Sequence, residues 1–307
     1  MGFESKYIWM DGKLVEYDKA TVHFMTTGLH YGLGVFEGIR CYETDRGPAV
    51  FRLAEHIERL VNSAKILGFK SLPYTADELA QAVKETIRAN GFKSCYIRPL
   101  IYHSSPVLGL NLDNGIPKIG IAAFEWGKYL GDEAAERGVR MMVSSYTRHH
   151  PNVAMTKAKI TGSYANSVLA KTDAVRAGFD EAIMLDPQGY VAECSGENLF
   201  LVRKDIVYTP HTATILEGVT RDAVITILGE LGYRLVEEPI SRDQLYIADE
   251  IFVSGTAAEV APVTEVDFRT IGNGKRGKIT RQVQQTFEAV VAGKHALSNG
   301  WLDYVNG

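Results

Sequence analysis

The chain has 307 residues, which is long for one hydrophobic core and suits two domains of roughly 100 to 150 residues each. Its 46% hydrophobic and 23% charged residues are typical of soluble globular proteins rather than disordered, collagen-like or membrane chains. The net charge of -4 leaves no basic surplus to neutralise a phosphate backbone, so we expect small-molecule substrates and no nucleic acid.

The cysteines and the N-terminal segment predict the cellular compartment of the protein. Cys41, Cys95 and Cys194 are far apart and odd in number, which argues against a disulfide framework or a zinc site. The N-terminus has no signal-peptide core, and no later stretch approaches the apolar length of a membrane span. We therefore expect a cytoplasmic protein without a membrane or metal partner.

Residues 1–126 mix short strand-like runs with two helices, which is the pattern of a small α/β domain. The run 53–68 places its apolar residues on one helical face. A capping box from Thr75 to Glu78 begins a second helix, which should end at Asn90 and Gly91. Runs rich in β-branched and aromatic residues predict strands at 49–53, 96–102 and 116–124.

A glycine-containing segment at 127–133 is predicted to be an interdomain linker, which leaves 134–307 as a larger second domain. Strands are expected near 139–145 and 181–185, with a hairpin at 199–208 that turns at Lys204 and Asp205. Helices lie between and after these strands. The pattern indicates a barrel-like or mixed α/β domain, so that the whole chain is an α+β protein of two domains.

Two glycine-rich runs resemble nucleotide-binding loops without meeting their requirements. In the run 32–38 the third glycine is one residue too far along and no clean strand precedes it, which disfavours a Rossmann site. The run 272–278 begins like a Walker loop, but Ile279 stands where a hydroxyl residue is needed. A solvated turn is the better interpretation of the second run.

Two other stretches could hold a phosphate. In the stretch 216–222, Gly218 and Thr220 come directly before an amphipathic helix, whose first amides and dipole attract anions. In the stretch 254–258, small side chains follow a strand-like run, so that a ligand could reach the backbone amides. Taken alone, a plain threonine cap and a tight turn are the simpler interpretations.

Several motifs occur in order along nearly the whole chain, and together they carry a resemblance. They are His30–Arg40, Arg52–Arg59, Tyr96–Pro99, Ala158–Tyr164, Glu193–Phe200, Leu216–Asp222 and Ser254–Glu259. With them, the sequence resembles the branched-chain aminotransferases of the fold-type IV (class IV) pyridoxal-phosphate family, which are similar in fold to D-amino acid aminotransferases. The sequence departs from that pattern at Glu217, where many relatives carry proline, and in the loop 103–110.

The resemblance implies pyridoxal 5'-phosphate as cofactor and a lysine that forms a Schiff base with it. Spacing alone cannot choose between Lys157, Lys159 and Lys171, and the resemblance assigns this role to Lys159. It assigns Tyr164 to the phenolate oxygen of the cofactor. It assigns Glu193 to the pyridine nitrogen, although the residues alone do not separate Glu193 from Glu197.

The other roles that the resemblance implies concern the phosphate, the cofactor ring and the substrate. The phosphate would be bound by Arg59, Val219, Thr220 and Thr256, and Leu216 would pack against the ring. Without the resemblance, Arg59 would be placed on the solvent face of its helix. The substrate-binding residues would be Tyr31, Phe36, Gly38, Tyr96, Arg98, Trp126, Tyr129, Ala257 and Ala258.

Within that set, the amides of Ala257 and Ala258, helped by Tyr96, would bind the substrate α-carboxylate, and Arg98 would supply a cation. Tyr31 would come from a partner subunit, which implies a homodimer or a higher homo-oligomer. The expected reaction moves an amino group between leucine, isoleucine or valine and 2-oxoglutarate. Alternatives are a D-amino acid or (R)-amine aminotransferase, an aminodeoxychorismate lyase, and a non-catalytic protein of the same fold.

Overall fold

The computed structural model describes residues 5–127, 130 and 134–306. The chain forms two compact units. The first comprises Met1–Trp126, Ala158–Ser163 and Val290–Gly307, and the second comprises Gly127–Lys157 and Tyr164–Ala289.

The helices of the described residues, in chain order, are α1 (Thr27–Tyr31), α2 (Leu53–Leu67), α3 (Ala76–Asn90), α4 (Ala134–Arg137), α5 (Tyr164–Arg176), α6 (Val219–Glu230), α7 (Arg242–Tyr246), α8 (Lys278–Val291) and α9 (Ser298–Trp301). The strands are β1 (Tyr7–Met10), β2 (Lys13–Glu16), β3 (Gly34–Phe36), β4 (Ile39–Thr44), β5 (Gly47–Phe51), β6 (Cys95–Ser104), β7 (Ile116–Phe124), β8 (Val139–Val143), β9 (Glu181–Leu185), β10 (Val191–Cys194), β11 (Asn198–Arg203), β12 (Ile206–Thr209), β13 (Leu235–Glu237), β14 (Glu250–Gly255), β15 (Glu259–Val266), β16 (Arg269–Thr270) and β17 (Leu302–Tyr304).

The first unit contains an antiparallel sheet in the order β17-β5-β4-β6-β7-β1-β2, with β3 also paired to β6. Apolar side chains of α2 and α3 share one core with the sheet, including Leu60, Val83 and Ile97. The alternation of buried residues along β6 follows from the twofold period of a strand. The predicted helices and strands of this unit are confirmed, and the glycine-rich run 32–38 follows α1 rather than a strand.

Helix α3 shows why its ends could be predicted. The Thr75 hydroxyl accepts the amide N–H of Glu78, and the Glu78 carboxylate accepts the amide N–H of Thr75 at 2.7 Å, which closes the capping box. Gly91 ends the helix with φ of 74°, a left-handed conformation that suits glycine. Both signals lie within a few residues of the helix end, so they are visible in the sequence.

The second unit contains a mixed sheet in the order β10-β9-β8-β15-β14-β11-β12-β13, with β16 paired to β15. The pairs β8/β9, β8/β15 and β12/β13 are parallel, and the others are antiparallel. The predicted hairpin is confirmed: Lys204 and Asp205 have φ of 50° and 60°, as a tight turn between β11 and β12 requires. Asp249 accepts the Lys204 amide N–H at 2.7 Å and supports this turn.

The observed division of the chain differs from the predicted one in two segments. Residues 158–163 and 290–307 were predicted to lie in the second domain, but they belong to the first unit. Strand β17 pairs with β5, and the Phe36 amide donates to the Lys159 carbonyl at 3.0 Å. These pairings join residues far apart in sequence, so local patterns could not reveal them. Most of the predicted linker 127–133 lies outside the described residues, so the linker stays a prediction.

In the described part of the chain, each helix is too short or too polar to cross a membrane. The cytoplasmic location stays a prediction.

Candidate active site

Lys159 lies in the first unit on a short segment that is fixed from both sides. Its amide N–H donates to the Ser63 hydroxyl at 3.0 Å, and its carbonyl accepts the Phe36 amide. Its neighbours Ala158 and Ile160 are buried in the core of that unit. The Lys159 ammonium lies 5.0 Å from the centre of the Phe36 ring. The backbone therefore holds this lysine at a defined place beside an aromatic ring.

The two competing lysines have carboxylate partners in the second unit. The Lys157 ammonium lies 2.6 Å from the Glu217 carboxylate and also donates to the Thr212 carbonyl. The Lys171 ammonium lies 2.7 Å from the buried Glu181 carboxylate. Both lysines therefore have evident structural roles as cations. The assignment of the Schiff base to Lys159 stays a prediction.

Arg59 is not on a solvent face, because its side chain is only 14% exposed. Its Nε and Nη2 donate to the two oxygens of Glu37 at 2.6 and 2.8 Å. The Nδ1 of His56, one helical turn away, lies 2.8 Å from the same carboxylate. Glu37 is fully buried, and the sequence interpretation missed both Glu37 and His56. A lone glutamate in the run 32–38 gave no signal for this network.

The network shifts the pKa of two of its members. Burial by itself would raise the pKa of Glu37, but the charge and hydrogen bond of Arg59, with help from His56, hold it well below its ordinary value. Burial also lowers the pKa of His56, and the hydrogen bond and charge of Glu37 offset only part of that effect. At neutral pH the network is thus an ionised Glu37 with a charged Arg59 and a neutral His56.

These shifts predict a loss of stability in acid. A lowered pKa means that the unfolded chain binds a proton before the folded chain does, so stability is present at higher pH and falls as the pH falls. For His56 the loss begins below its ordinary value of 6.5, and for Glu37 it begins below 4.5. We expect Tm to decrease from about pH 7 to about pH 5 through His56, and further in stronger acid through Glu37.

The control is His56→Asn, whose amide can donate to Glu37 but does not titrate. Thermal unfolding followed by circular dichroism should show a flatter profile for this variant between about pH 7 and pH 5. The same decrease of Tm in both proteins would contradict the assigned contribution of His56.

Arg98 lies among aromatic side chains of the first unit. Its guanidinium lies 4.8 Å from the ring centre of Phe36 and 5.4 Å from that of Tyr96. Its Nη2 donates to the Tyr96 hydroxyl at 3.3 Å, and the Tyr96 ring meets Trp126 edge to face at 4.7 Å. A side chain at Gly38 would overlap the Tyr96 hydroxyl, so glycine is needed there. The structure thus groups five of the predicted substrate-binding residues.

Four predicted substrate-binding residues are not part of this aromatic group, and two of them, Ala257 and Ala258, belong to the second unit. Tyr31 is 39% exposed on α1, and its ring centre lies 6.2 Å from that of His30. Tyr129 lies outside the described residues. Their roles stay predictions.

In the second unit, Glu193 is a buried carboxylate on β10. Its Oε1 lies 2.5 Å from Arg148 Nε, and its Oε2 accepts the Leu216 amide N–H at 3.2 Å and Asn198 Nδ2 at 3.4 Å. Burial by itself would lower the pKa of Arg148, but the charge and hydrogen bond of Glu193 raise it above its ordinary value. Glu193 is therefore paired with a buried cation, Arg148, that the sequence interpretation missed.

Asn198 explains how the neighbouring residues are arranged. Its side chain also donates to the Leu216 carbonyl at 3.1 Å, and it would overlap any side chain at Gly218. On its other side, Asn198 pairs with Ser254 between β11 and β14. Asn198 thus connects Glu193 with the two stretches that the sequence nominated for phosphate.

Both phosphate stretches have donor groups suited to an anion. Helix α6 begins at Val219 with Gly218 as its N-cap, a residue that has no side chain to accept the first amides. Thr220 is buried in the first turn. The Ser254 hydroxyl is buried and has no hydrogen-bond partner among the described residues. Thr256, Ala257 and Ala258 follow in the turn between β14 and β15.

Comparisons with known proteins place this geometry in a family. The family description "Amino-transferase class IV" matches residues 34–266. The chain belongs to the class IV aminotransferases. The α+β fold and the enzyme class that the sequence predicted are thereby confirmed.

Individual relatives agree with this family. A branched-chain-amino-acid aminotransferase of Pseudomonas aeruginosa is 47% identical over 298 residues, which cover 97% of each chain. The crystal structure of the Escherichia coli branched-chain amino acid aminotransferase has a TM-score of 0.96 at 46% identity, and covers 99% of this chain and 100% of its own. A third relative is the branched-chain aminotransferase of the thermophilic archaeon Thermoproteus uzoniensis, whose crystal structure was determined with norvaline. It has a TM-score of 0.93 at 46% identity, and the match covers 98% of this chain and 100% of that chain.

Class IV aminotransferases use pyridoxal phosphate, and the residues of each unit fit groups of that cofactor. An aldehyde needs a primary amine, which Lys159 of the first unit offers. A pyridine nitrogen that must stay protonated needs a carboxylate, and Glu193 of the second unit is a buried one paired with Arg148. A phosphate needs donors, which the start of α6 and the Ser254 hydroxyl provide.

Proposed function

We propose that this protein reversibly transfers the amino group of L-leucine, L-isoleucine or L-valine to 2-oxoglutarate, giving branched-chain 2-oxo acids and L-glutamate. The observation that carries the proposal is the position of Arg98 against the rings of Phe36 and Tyr96. Aromatic walls suit an aliphatic side chain, and a guanidinium among them suits the γ-carboxylate of glutamate. One pocket can thereby accept both kinds of substrate in turn, which a ping-pong reaction requires.

Lys159 is the proposed catalytic residue. Pyridoxal phosphate, when bound, joins to amines through its aldehyde carbon and weakens the bond between the substrate Cα and its proton. The Lys159 amine would hold the cofactor in the resting enzyme and, as a free amine beside the substrate, would move the proton at the substrate Cα. The ring of Phe36 beside the amine limits the directions from which water can approach it.

The other proposed roles belong to binding and orientation. Glu193 holds the proton at the pyridine nitrogen, Tyr164 donates to the phenolate oxygen, and Leu216 packs against the ring. The amides of Ala257 and Ala258 bind the substrate α-carboxylate with the Tyr96 hydroxyl. The phosphate is bound by Arg59, Val219, Thr220 and Thr256.

A homodimer is the smallest active unit in this proposal, because Tyr31 is assigned to the pocket of a partner subunit. The exposure of Tyr31 and of the nearby apolar residues Phe24 and Leu29 supports a surface that a second copy covers. A higher homo-oligomer built from such dimers fits the same observation.

An amino-donor panel tests the proposed function. The holoenzyme is supplied with 2-oxoglutarate and with L-leucine, L-isoleucine, L-valine, D-alanine or (R)-1-phenylethylamine, and glutamate formation is measured. We expect the three branched-chain L-amino acids to be the best donors, within about a hundredfold of one another, because one methylene in an apolar pocket has only a modest effect. A preference for D-alanine or the amine would instead support another activity of the same family.

Arg98→Leu tests the dual use of the pocket. Loss of a charge-assisted hydrogen bond of about 1.5 to 3 kcal/mol should lower kcat/KM for glutamate and 2-oxoglutarate by about tenfold to a hundredfold. Leucine and its 2-oxo acid need no such bond and should change much less. Single-turnover absorbance changes measure the two half-reactions separately.

The leucine half-reaction of the same variant is the internal control, and Arg98→Lys tests whether charge alone suffices. A lysine cannot offer the planar pair of donors of arginine, so we expect it to restore only part of the glutamate half-reaction. Equal losses in both half-reactions, or a loss explained by a lower Tm, would refute this role of Arg98.

A further inference from the structure

Glu37 is a fully buried carboxylate in the connection between β3 and β4, directly between Phe36 and Gly38. It accepts hydrogen bonds from Arg59 Nε at 2.6 Å, from Arg59 Nη2 at 2.8 Å and from the Gly38 amide at 3.3 Å. The His56 Nδ1 lies 2.8 Å from Oε2. None of the roles proposed for cofactor or substrate binding explains why an ionisable residue is buried at this position.

The protonation of the network follows from the donors and acceptors. An ionised carboxylate only accepts hydrogen bonds, so His56 must carry its proton on Nδ1 and donate it to Glu37. His56 Nε2 is then an acceptor, and it is buried with no hydrogen-bond partner among the described residues. His56 and Arg59 lie three positions apart on α2 and therefore face Glu37 together. The charged groups around Glu37 and His56 are Arg59 and Lys159.

The bond pattern fixes the orientation of Arg59. Two parallel N–H···O bonds hold a guanidinium in the plane of a carboxylate, which a single bond cannot do. These bonds use two of the five N–H donors of a guanidinium, so the pairing with Glu37 does not exclude a further anionic partner. A long side chain that would otherwise sample many rotamers is thereby held in one.

We propose that Glu37 is a positioning residue for the cofactor, because it holds Arg59 in the orientation in which the guanidinium binds the phosphate, while His56 fixes the Glu37 carboxylate. This inference rests on the proposed function and on the proposed role of Arg59. The Glu37 carboxylate does not itself touch the phosphate.

A merely electrostatic role makes the opposite prediction. Glu37 carries a negative charge next to a residue that binds a phosphate, and like charges repel. If Glu37 only neutralised Arg59, removing its charge would strengthen phosphate binding. If Glu37 positions Arg59, removing either its charge or its bidentate geometry weakens binding. The sign of the change in cofactor affinity therefore separates the two roles.

The variants are Glu37→Gln, which removes the charge, and Glu37→Asp, which keeps the charge but shortens the side chain by one methylene. The dissociation constant of pyridoxal phosphate is measured by titration of the full-length chain, with absorbance and fluorescence as readouts. We expect an increase of about tenfold or more in both variants, which corresponds to the loss of one well-aligned charged hydrogen bond. Glu37→Asp keeps the test decisive if Glu37→Gln does not fold.

A double-mutant cycle with Arg59→Gln shows whether Glu37 acts through Arg59. In the Arg59→Gln background, a change at Glu37 should alter the dissociation constant by less than about twofold, because the group that it positions is gone. Glu181→Gln is the matched control, since Glu181 is also fully buried and paired with a cation, Lys171. It should lower Tm while leaving the affinity for pyridoxal phosphate unchanged.

The outcomes distinguish a failure of this inference from a failure of the proposed function. No binding of pyridoxal phosphate by the wild type would overturn the proposed function, and unchanged binding by Arg59→Gln would overturn the role of Arg59 and this inference with it. If Arg59→Gln weakens binding, unchanged or tighter binding by Glu37→Gln and Glu37→Asp would overturn the positioning role alone. So would equal effects of the Glu37 variants with and without Arg59.

Discussion

Replacing Lys159 by alanine is expected to abolish transamination of every substrate. Alanine has no amine to hold the cofactor or to move the proton at the substrate Cα, and a general base alone contributes about 10²- to 10⁴-fold to the rate. Lys159 is only half-buried, so the variant should fold and keep its Tm within a few degrees. Glutamate formation from L-leucine and 2-oxoglutarate measures the loss.

Lys157→Ala is the matched control, because Lys157 lies two positions away and its ammonium pairs with Glu217 at 2.6 Å. Both partners are partly exposed, and such pairs contribute little to stability, so activity should stay close to that of the wild type. A Lys159→Ala protein with more than a few per cent of wild-type turnover would contradict the role of Lys159. So would a complete loss in Lys157→Ala.

Replacing Glu193 by glutamine is expected to remove most of the turnover while the cofactor still binds. A neutral amide cannot stabilise a proton at the pyridine nitrogen, and the cofactor then withdraws electrons less well. We expect kcat to fall by about a hundredfold or more, since the charge at this position affects each proton transfer. Cofactor content is measured by absorbance, and kcat is expressed per bound cofactor.

Stability must be measured in the same proteins, because Glu193 is the partner of the buried Arg148. Removing one member of a buried pair costs up to about 3 to 5 kcal/mol, so Glu193→Gln should have a lower Tm. Glu193→Asp keeps the charge and should lose less turnover. Glu197→Gln is the control at the alternative glutamate, and a larger loss of turnover there than in Glu193→Gln would overturn the assignment.

Much of the fold could be predicted because its signals are local. The start of α3 depends on Thr75 and Glu78, and the hairpin between β11 and β12 depends on residues next to its turn. The segment 158–163 could not be placed, since its pairing with the first unit depends on residues 96 or more positions away, such as Ser63 and Val35. Hydrogen bonds between such distant residues produce no periodic pattern and no local composition that could be recognised in the sequence.

The candidate site shows the same limit. The family resemblance assigned roles to Lys159, Glu193 and Arg98. It assigned none to Glu37, although this residue lies within the motif His30–Arg40, and Arg148 lies outside the motifs. Glu37 is 22 positions from Arg59, and Arg148 is 45 positions from Glu193. Each pair forms because the fold buries two charges that need each other, and burial at those positions could not be foreseen from the helix or strand period alone.

The most direct test of the account is to reduce the holoenzyme with sodium borohydride and to find the labelled peptide by mass spectrometry. Reduction makes the bond between the cofactor and its lysine permanent, and a modified lysine resists trypsin. If Lys159 holds the cofactor, the added mass lies on Lys159 within the peptide 158–171, and the visible absorbance of the cofactor–lysine bond disappears. A label on Lys157 or Lys171, or no label on a fully active protein, would contradict the account.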